Sequence, residues 1–322
     1  MRLFRGLLLL IHIVVILLLL GTYLNAFIPP KTLSALNLLS LGFPVLLCVH
    51  AVLLLLWLVI QRKTALIILL TTLLFIQPVR RWLNFSIGKT AGHLTVLSMN
   101  GKNNVFGEDQ IKAYLVQQQP DVMMLQELAL QDLKGYEVKS DAVVTIASRH
   151  KIRDYKVLNT GGENSLQMYA DIEINNRIIR FVNIYLEPFY FDKALVKPSD
   201  DASVNKGKAG KVLRKLLHTF RVHQEQVDQV ADVIRDSPYP VIVSGDFNSV
   251  PNSYEYYKIS NGLTDVFLSV GRGLGTTFHD YKFPLRIDYF FCSKSIEPQT
   301  FQIDRNVKIS DHFPIKASFN LK

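Results

Sequence analysis

The sequence predicts an α/β fold built on central sheets and preceded by apolar helices, and three observations carry that reading. Short apolar runs beyond residue 93 each end in a polar residue, as buried strands do when they deliver a group at their C-terminal ends. Helical patterns alternate with those runs, which argues for helices layered on sheet. Residues 1–93 contain no Asp or Glu, whereas all 27 acids lie beyond them, so two different solvents are implied.

The apolar helices come first. Residues 6–28 form an uncharged run of 23 residues and 36–60 one of 25. Each exceeds the roughly 20 residues that cross about 30 Å of hydrocarbon. Arg2 and Arg5 ahead of the first run resemble a signal peptide, but the run outlasts the roughly 7 to 15 residues of such a core and a second run follows. It reads as a retained anchor. Residues 64–79 give an uncharged stretch of 16, about 24 Å of helix at roughly 1.5 Å per residue, so two or three spans are expected in an anchor of residues 1–93. With three, Arg2, Arg5, Arg62 and Lys63 face Lys31, Arg80 and Arg81 across the bilayer. That weak bias sets residues 94–322 outside the cytoplasm. Trp82 suits an interfacial position, and His12 and His50 read as neutral histidines packing within spans.

Charge is set by the anchor. The formal net charge is +9, yet eight of the 36 basic residues precede residue 94, leaving 28 bases against 27 acids. Nothing in this balance marks a nucleic-acid groove. Cys48 lies in a span and Cys292 stands alone beyond it, so no disulfide joins two cysteines of the soluble part.

Residues 94–322 suffice for one domain with a buried core. Strands are expected at 94–99 before Asn100, at 122–125 before Gln126 and Glu127, at 178–184 before Tyr185, and at 241–243 before Gly245 and Asp246. Helices are expected at 108–118 and 221–235, where Val227, Val230, Ala231 and Ile234 keep helical spacing. The segment 193–221 is rich in lysine and arginine and reads as a solvated loop feeding an exposed helix face. Its functional alternative is a contact for anionic lipid or a phosphate-bearing substrate. His218, His223 and His279 read as surface or loop residues.

Two motifs suit the splitting of a phosphate ester: Ser244-Gly245-Asp246-Phe247-Asn248 and Ser310-Asp311-His312-Phe313-Pro314. That reaction needs a water placed in line and charge neutralised on the phosphoryl oxygens. A site built from Glu127, with Asn100 and Asp311 near, suits Mg²⁺ or Mn²⁺, because magnesium keeps several waters and takes one or two carboxylates. No Cys/His cluster with zinc spacing competes. Singly, Asn100 caps a turn, Gln126-Glu127 starts a helix, and Asp246-x-Asn248 forms an Asx-turn. Their joint order carries the functional reading.

That order resembles the endonuclease/exonuclease/phosphatase superfamily. The matching residues are Leu97-Ser98-Met99-Asn100, Leu125-Gln126-Glu127, Ser148-Arg149, Asn183-Ile184-Tyr185, Gly245-Asp246-Phe247-Asn248, Arg286-Ile287-Asp288-Tyr289 and Ser310-Asp311-His312. The resemblance implies a four-layer α/β sandwich, two packed mixed sheets flanked by helices. It implies a Mg²⁺- or Mn²⁺-dependent phosphoesterase, with Glu127 as principal metal ligand and Asn100 and Asp311 at the metal. Asp246 would activate the attacking water, Asn248 would hold a phosphate oxygen, and His312, held by Asp288, would stabilise charge in the transition state. Tyr185 stands where many members carry a His that assists the leaving group, and a nuclease branch shares the Tyr. The layout is similar to membrane-anchored bacterial members, which places the chain in an inner membrane. The expected substrate is a lipid headgroup or small phosphodiester. A nuclease, or a non-catalytic protein binding a phosphorylated ligand, is the alternative, and no protein partner is inferable.

Overall fold

A computed structural model describes residues 2–189, 197, 199–280 and 285–321. Three of its helices are long and apolar enough to cross a membrane: Arg2–Ala26, Leu36–Ile60 and Arg62–Arg80. The first comprises α1 (Arg2–Gly21) and a 3₁₀ turn. After α2 (Pro30–Leu33) and α3 (Leu36–Ile60), the last joins α4 (Arg62–Thr72) to α5 (Ile76–Arg80) through another such turn. They share a core that includes Leu19, Phe43, Trp57 and Phe75, with Trp82 partly buried against it. Within the bundle His12 Nε2 lies 3.0 Å from His50 Nδ1, whose Nε2 lies 3.0 Å from Thr72 Oγ1.

Beyond the bundle stand two six-stranded sheets. One runs in the order β13 (Ile296–Ile303), β14 (Ile315–Leu321), β2 (Leu94–Asn100), β3 (Val122–Gln126), β5 (Val144–Ser148), β4 (Glu137–Asp141). The other runs β10 (Thr264–Asp265), β12 (Asp288–Cys292), β9 (Val241–Asp246), β8 (Arg177–Tyr185), β7 (Leu166–Ile174), β6 (Ile152–Leu158). Each is antiparallel except at its centre, where β2 pairs with β3 and β8 with β9 in parallel.

Strand alternation explains the layering, since successive side chains point to opposite faces. In β2, Leu94 and Val96 enter the core between the sheets with Met124, Phe181, Ile242 and Phe290. Leu97 and Met99 point the other way, against Ile111 and Leu115 of α6 (Glu108–Gln118). On the second sheet's outer face, Val227 and Val230 of α7 (Ala202–Arg235) cover Val182, Val241 and Val243. Helix, sheet, sheet and helix make the four-layer sandwich.

One element differs from expectation. Residues 202–221, expected as a loop, are helical and continuous with 221–235 in α7. Asp201 caps this helix, its carboxylate accepting from the Ser203 N–H at 2.7 Å, and its Lys, Arg, Ala and Leu are strong helix formers that outweigh Gly207 and Gly210. Residues 193–196 and 198 of the basic segment lie outside the described residues. Contacts also cross residue 94: β1 (Leu83–Phe85) pairs with β11 (Arg272–Leu274), and the Gly275 N–H donates to Trp82 O at 2.8 Å.

Candidate active site

The parallel pairs at the centre of each sheet deliver polar residues to a common edge. Asn100 ends β2, Gln126 ends β3 just before Glu127, Tyr185 ends β8, and Asp246 ends β9. Asp288 opens β12 directly opposite Asp246. His312 lies on the turn leading into β14.

The structure brings all eight candidate residues together. Glu127, Asp246, Asn248, Asp311 and His312 line a cavity of about 480 Å³. Asn100, Tyr185 and Asp288 are buried and hold those residues. Asn100 Nδ2 donates to Glu127 Oε1 at 2.9 Å and to Asp246 Oδ2 at 3.0 Å, joining the two sheets at their edge. Tyr185 OH donates to Glu127 Oε1 at 3.0 Å. Asp246 Oδ1 accepts from the Asn248 N–H at 2.8 Å, closing the Asx-turn of the motif. Asn248 Nδ2 donates to Leu186 O at 3.0 Å and more distantly to Asp246, at 3.4 Å.

His312 is gripped on both sides. Its Nδ1 is 2.9 Å from Asp288 Oδ2, and its Nε2 faces Asp246 Oδ2 at 3.8 Å. Burial would lower its pKa, but the charges of Asp288 and Asp246 and the bond to Asp288 push it up to about 10. An imidazolium therefore lies in the site at neutral pH. Burial raises Asp246 to about 7, with Asp288 and Glu127 adding to the rise against the lowering charge of His312. A carboxylate poised there is suited to take a proton near neutral pH.

Two groups of side chains invite a divalent cation. Asp246, Asp288 and His312 bring ligand atoms within 4.8 Å of one another, but all three are buried, and His312 Nδ1 is already bonded to Asp288 Oδ2. Glu127 fits better. Its carboxylate accepts from the neutral Asn100, Tyr185 and Asn103, the last at 3.0 Å to Oε2, and it forms no ion pair among the described residues. Its backbone is held at φ 47°, a left-handed conformation that stores strain of the kind found at functional sites. A carboxylate that faces the cavity supplies the kind of oxygen a hard, partly hydrated cation takes. Asp311, expected beside it, pairs with Lys102 Nζ at 2.7 Å in the same cavity.

Sequence reasoning missed Lys102 and Asn103. They belong to a run of left-handed residues, Lys102 to Asn104, with φ between 46° and 60°. Asn100 Oδ1 fixes this run by accepting from the Lys102 N–H at 2.9 Å. The pair Asn103-Asn104 was the available signal, because Asn tolerates that conformation best after Gly. His223, expected at the surface, is fully buried instead. Its Nδ1 meets Glu255 Oε1 at 3.0 Å and its Nε2 meets Glu187 O at 2.7 Å, so the helix face that carries it is an interior one.

The comparisons agree with this geometry. Residues 96–312 match the family described as Endonuclease/Exonuclease/phosphatase family, and residues 5–82 match a domain of unknown function, DUF8431. No curated protein gives a significant match. Among solved structures, a humanized TDP2 of D. rerio is 20% identical, with 70% of this chain and 98% of that chain covered and a TM-score of 0.51. The 3'-5' exonuclease NExo from Neisseria Meningitidis is 18% identical, with 70% and 100% covered and a TM-score of 0.51. A family protein from Leptotrichia buccalis is 16% identical, with 70% and 99% covered and a TM-score of 0.50. At these identities the likeness is one of fold. The two central sheets, the strand-end residues and the family match over 96–312 lead to one conclusion: the chain belongs to the endonuclease/exonuclease/phosphatase family.

Proposed function

We propose that this chain is a divalent-metal-dependent phosphoesterase, held in a bilayer by its N-terminal helices and hydrolysing a phosphodiester of a lipid headgroup or small molecule. The observation that carries this reading is the unbroken chain of contacts from Glu127 through Asn100 and Asp246 to His312 and Asp288. When bound at Glu127, with Asn100 and Asp311 near, Mg²⁺ or Mn²⁺ would supply positive charge against the phosphoryl oxygens.

The rest is done by side chains. Asp246 takes a proton from water, whose oxygen forms the new bond to phosphorus as the bond to the ester oxygen breaks. The His312 imidazolium and the Asn248 amide balance the negative charge gathering on the phosphoryl oxygens. Tyr185, whose O–H donates to Glu127 Oε1 at 3.0 Å, would have to turn from that bond to protonate the departing oxygen, and water attacks directly, without a covalent enzyme intermediate.

The cavity walls favour an amphiphilic substrate. Val105, Pro188, Phe189, Val250, Phe278, Leu285 and Ile287 line it, and Lys102 is its sole Lys or Arg among the described residues. The loop that holds Val250 also rests on the ends of the membrane-length helices through Asn252. Tyr185 and the fold likeness to an exonuclease favour a nuclease as the second reading. Three spans would put the domain on the side of the bilayer opposite the N-terminus.

The full chain in nanodiscs is expected to hydrolyse bis(p-nitrophenyl) phosphate with Mg²⁺ or Mn²⁺, to stop on chelation, and to lose about 10²- to 10⁴-fold in Asp246→Ala. Turnover indifferent to both would overturn the reading. Phosphatidylglycerol or sphingomyelin vesicles compared with single-stranded DNA then separate the two substrate classes.

A further inference from the structure

We propose that Asn37, on the second membrane-length helix, is a positioning residue for the active site, acting through Glu255 and His223. The proposal rests on the reading of the site given above. Asn37 is buried, and its Nδ2 donates to both carboxylate oxygens of Glu255, at 3.1 and 2.9 Å. Its Oδ1 accepts from the Tyr254 N–H at 2.9 Å. The hydrogen bonds of its side chain are thereby spent on the domain beyond residue 94.

From Glu255 the chain of buried bonds continues inward. Glu255 Oε1 meets His223 Nδ1 at 3.0 Å, and His223 Nε2 donates to Glu187 O at 2.7 Å. The carbonyl one residue earlier, Leu186 O, is the one that holds the Asn248 amide, while the Leu186 N–H donates to Asp246 O at 3.0 Å. A second branch fixes the other side of Asn248. Asn25 Nδ2 and Ser40 Oγ donate to Asn252 O at 3.1 and 2.6 Å, and Arg81 Nη1 donates to Asn252 Oδ1 at 2.7 Å. Ser253, next in sequence, caps the helix that carries Glu255.

Polar side chains in membrane-length helices are expensive unless paired. Here Asn25 and Ser40 are paired with Asn252, and Asn37 with Tyr254 and Glu255 of the helix that follows, from which His223 reaches Glu187 O. Displacing a reacting group by about 1 Å can reduce turnover about a hundredfold. A helix that sets these residues therefore sets the position of Asn248.

The test uses the full chain in nanodiscs. Asn37→Asp puts two buried carboxylates face to face. It is expected to lower kcat about tenfold to a hundredfold and to speed amide hydrogen exchange in 186–189 and 248–253. Adding Glu255→Gln restores the bonds in mirrored form, the introduced amide group donating to the introduced carboxylate while its carbonyl oxygen faces His223, so kcat and exchange should return toward wild type. Leu53→Ala, which loosens the bundle core away from this contact, should leave both unchanged. Unaltered exchange in Asn37→Asp, no recovery in the double variant, or equal losses in Leu53→Ala would overturn the proposal. An inactive wild type whose exchange still responds as expected would overturn the phosphoesterase reading alone.

Discussion

At Gly245 the backbone has φ 139°, and a Cβ there would lie 1.9 Å from the Ile184 carbonyl oxygen of the neighbouring parallel strand. The Gly of the Ser-Gly-Asp motif is therefore required by the close approach that sets Asp246 beside Tyr185. Gly245→Ala is expected to destabilise the protein by more than about 1 kcal/mol, read as a fall in melting temperature. Tyr185→Phe removes the bond to Glu127 and the candidate donor to the departing oxygen. Its loss of turnover should be larger for alkyl phosphate esters than for p-nitrophenyl esters, whose leaving group needs little protonation. Equal losses would assign Tyr185 to holding Glu127 alone. The strand-end residues were legible because an apolar run stopping at a polar residue is a local pattern. Lys102 was not, since its place depends on Asp311, 209 positions further on in the sequence. His223 was hidden for a similar reason: the carboxylate it meets comes from a different helix, Tyr254–Ser260.

At the scale of elements, that pairing gives a pH prediction. Burial alone would raise the Glu255 pKa, but the hydrogen bond and charge of His223 outweigh it and hold Glu255 below the ordinary carboxylate range. A group lowered on folding binds more protons when unfolded, so its contribution is present above its unfolded pKa and lost as pH falls through the folded value. The melting-temperature difference between wild type and Glu255→Gln should thus shrink below about pH 4. A difference that stays constant on acidification would show that the charge of Glu255 is not what holds this joint. The sandwich layers were legible from period-two alternation, as in β2, and α6 has the bounds 108–118 that its pattern suggested. Helix α7 was read short because Gly207 and Gly210 and the dense positive charge imitate a loop. Charge repulsion along an exposed helix face is weak beside the propensity of Lys, Arg, Ala and Leu.

For the whole molecule, the N-terminal helices and the later domain share buried polar contacts. Removing residues 1–93 would strip Asn37 from Glu255, Asn25 and Ser40 from Asn252, and Arg81 O from Arg286 Nη1, a 2.8 Å bond. Each buried group left without its partner costs about 1–3 kcal/mol, so chain 94–322 is expected to melt well below the full chain, or to aggregate. Equal melting temperatures would show that the two parts are separable. None of these contacts could be read from composition, which divides sharply at residue 93, because apolar runs advertise a solvent and not a neighbour. The helix ends gathered beneath Asn252 have one more consequence. Under the membrane-held reading proposed above, a bilayer-borne substrate would arrive by lateral diffusion in two dimensions. The rate would then follow its mole fraction among the surrounding lipids, and diluting the vesicles in buffer would leave it unchanged.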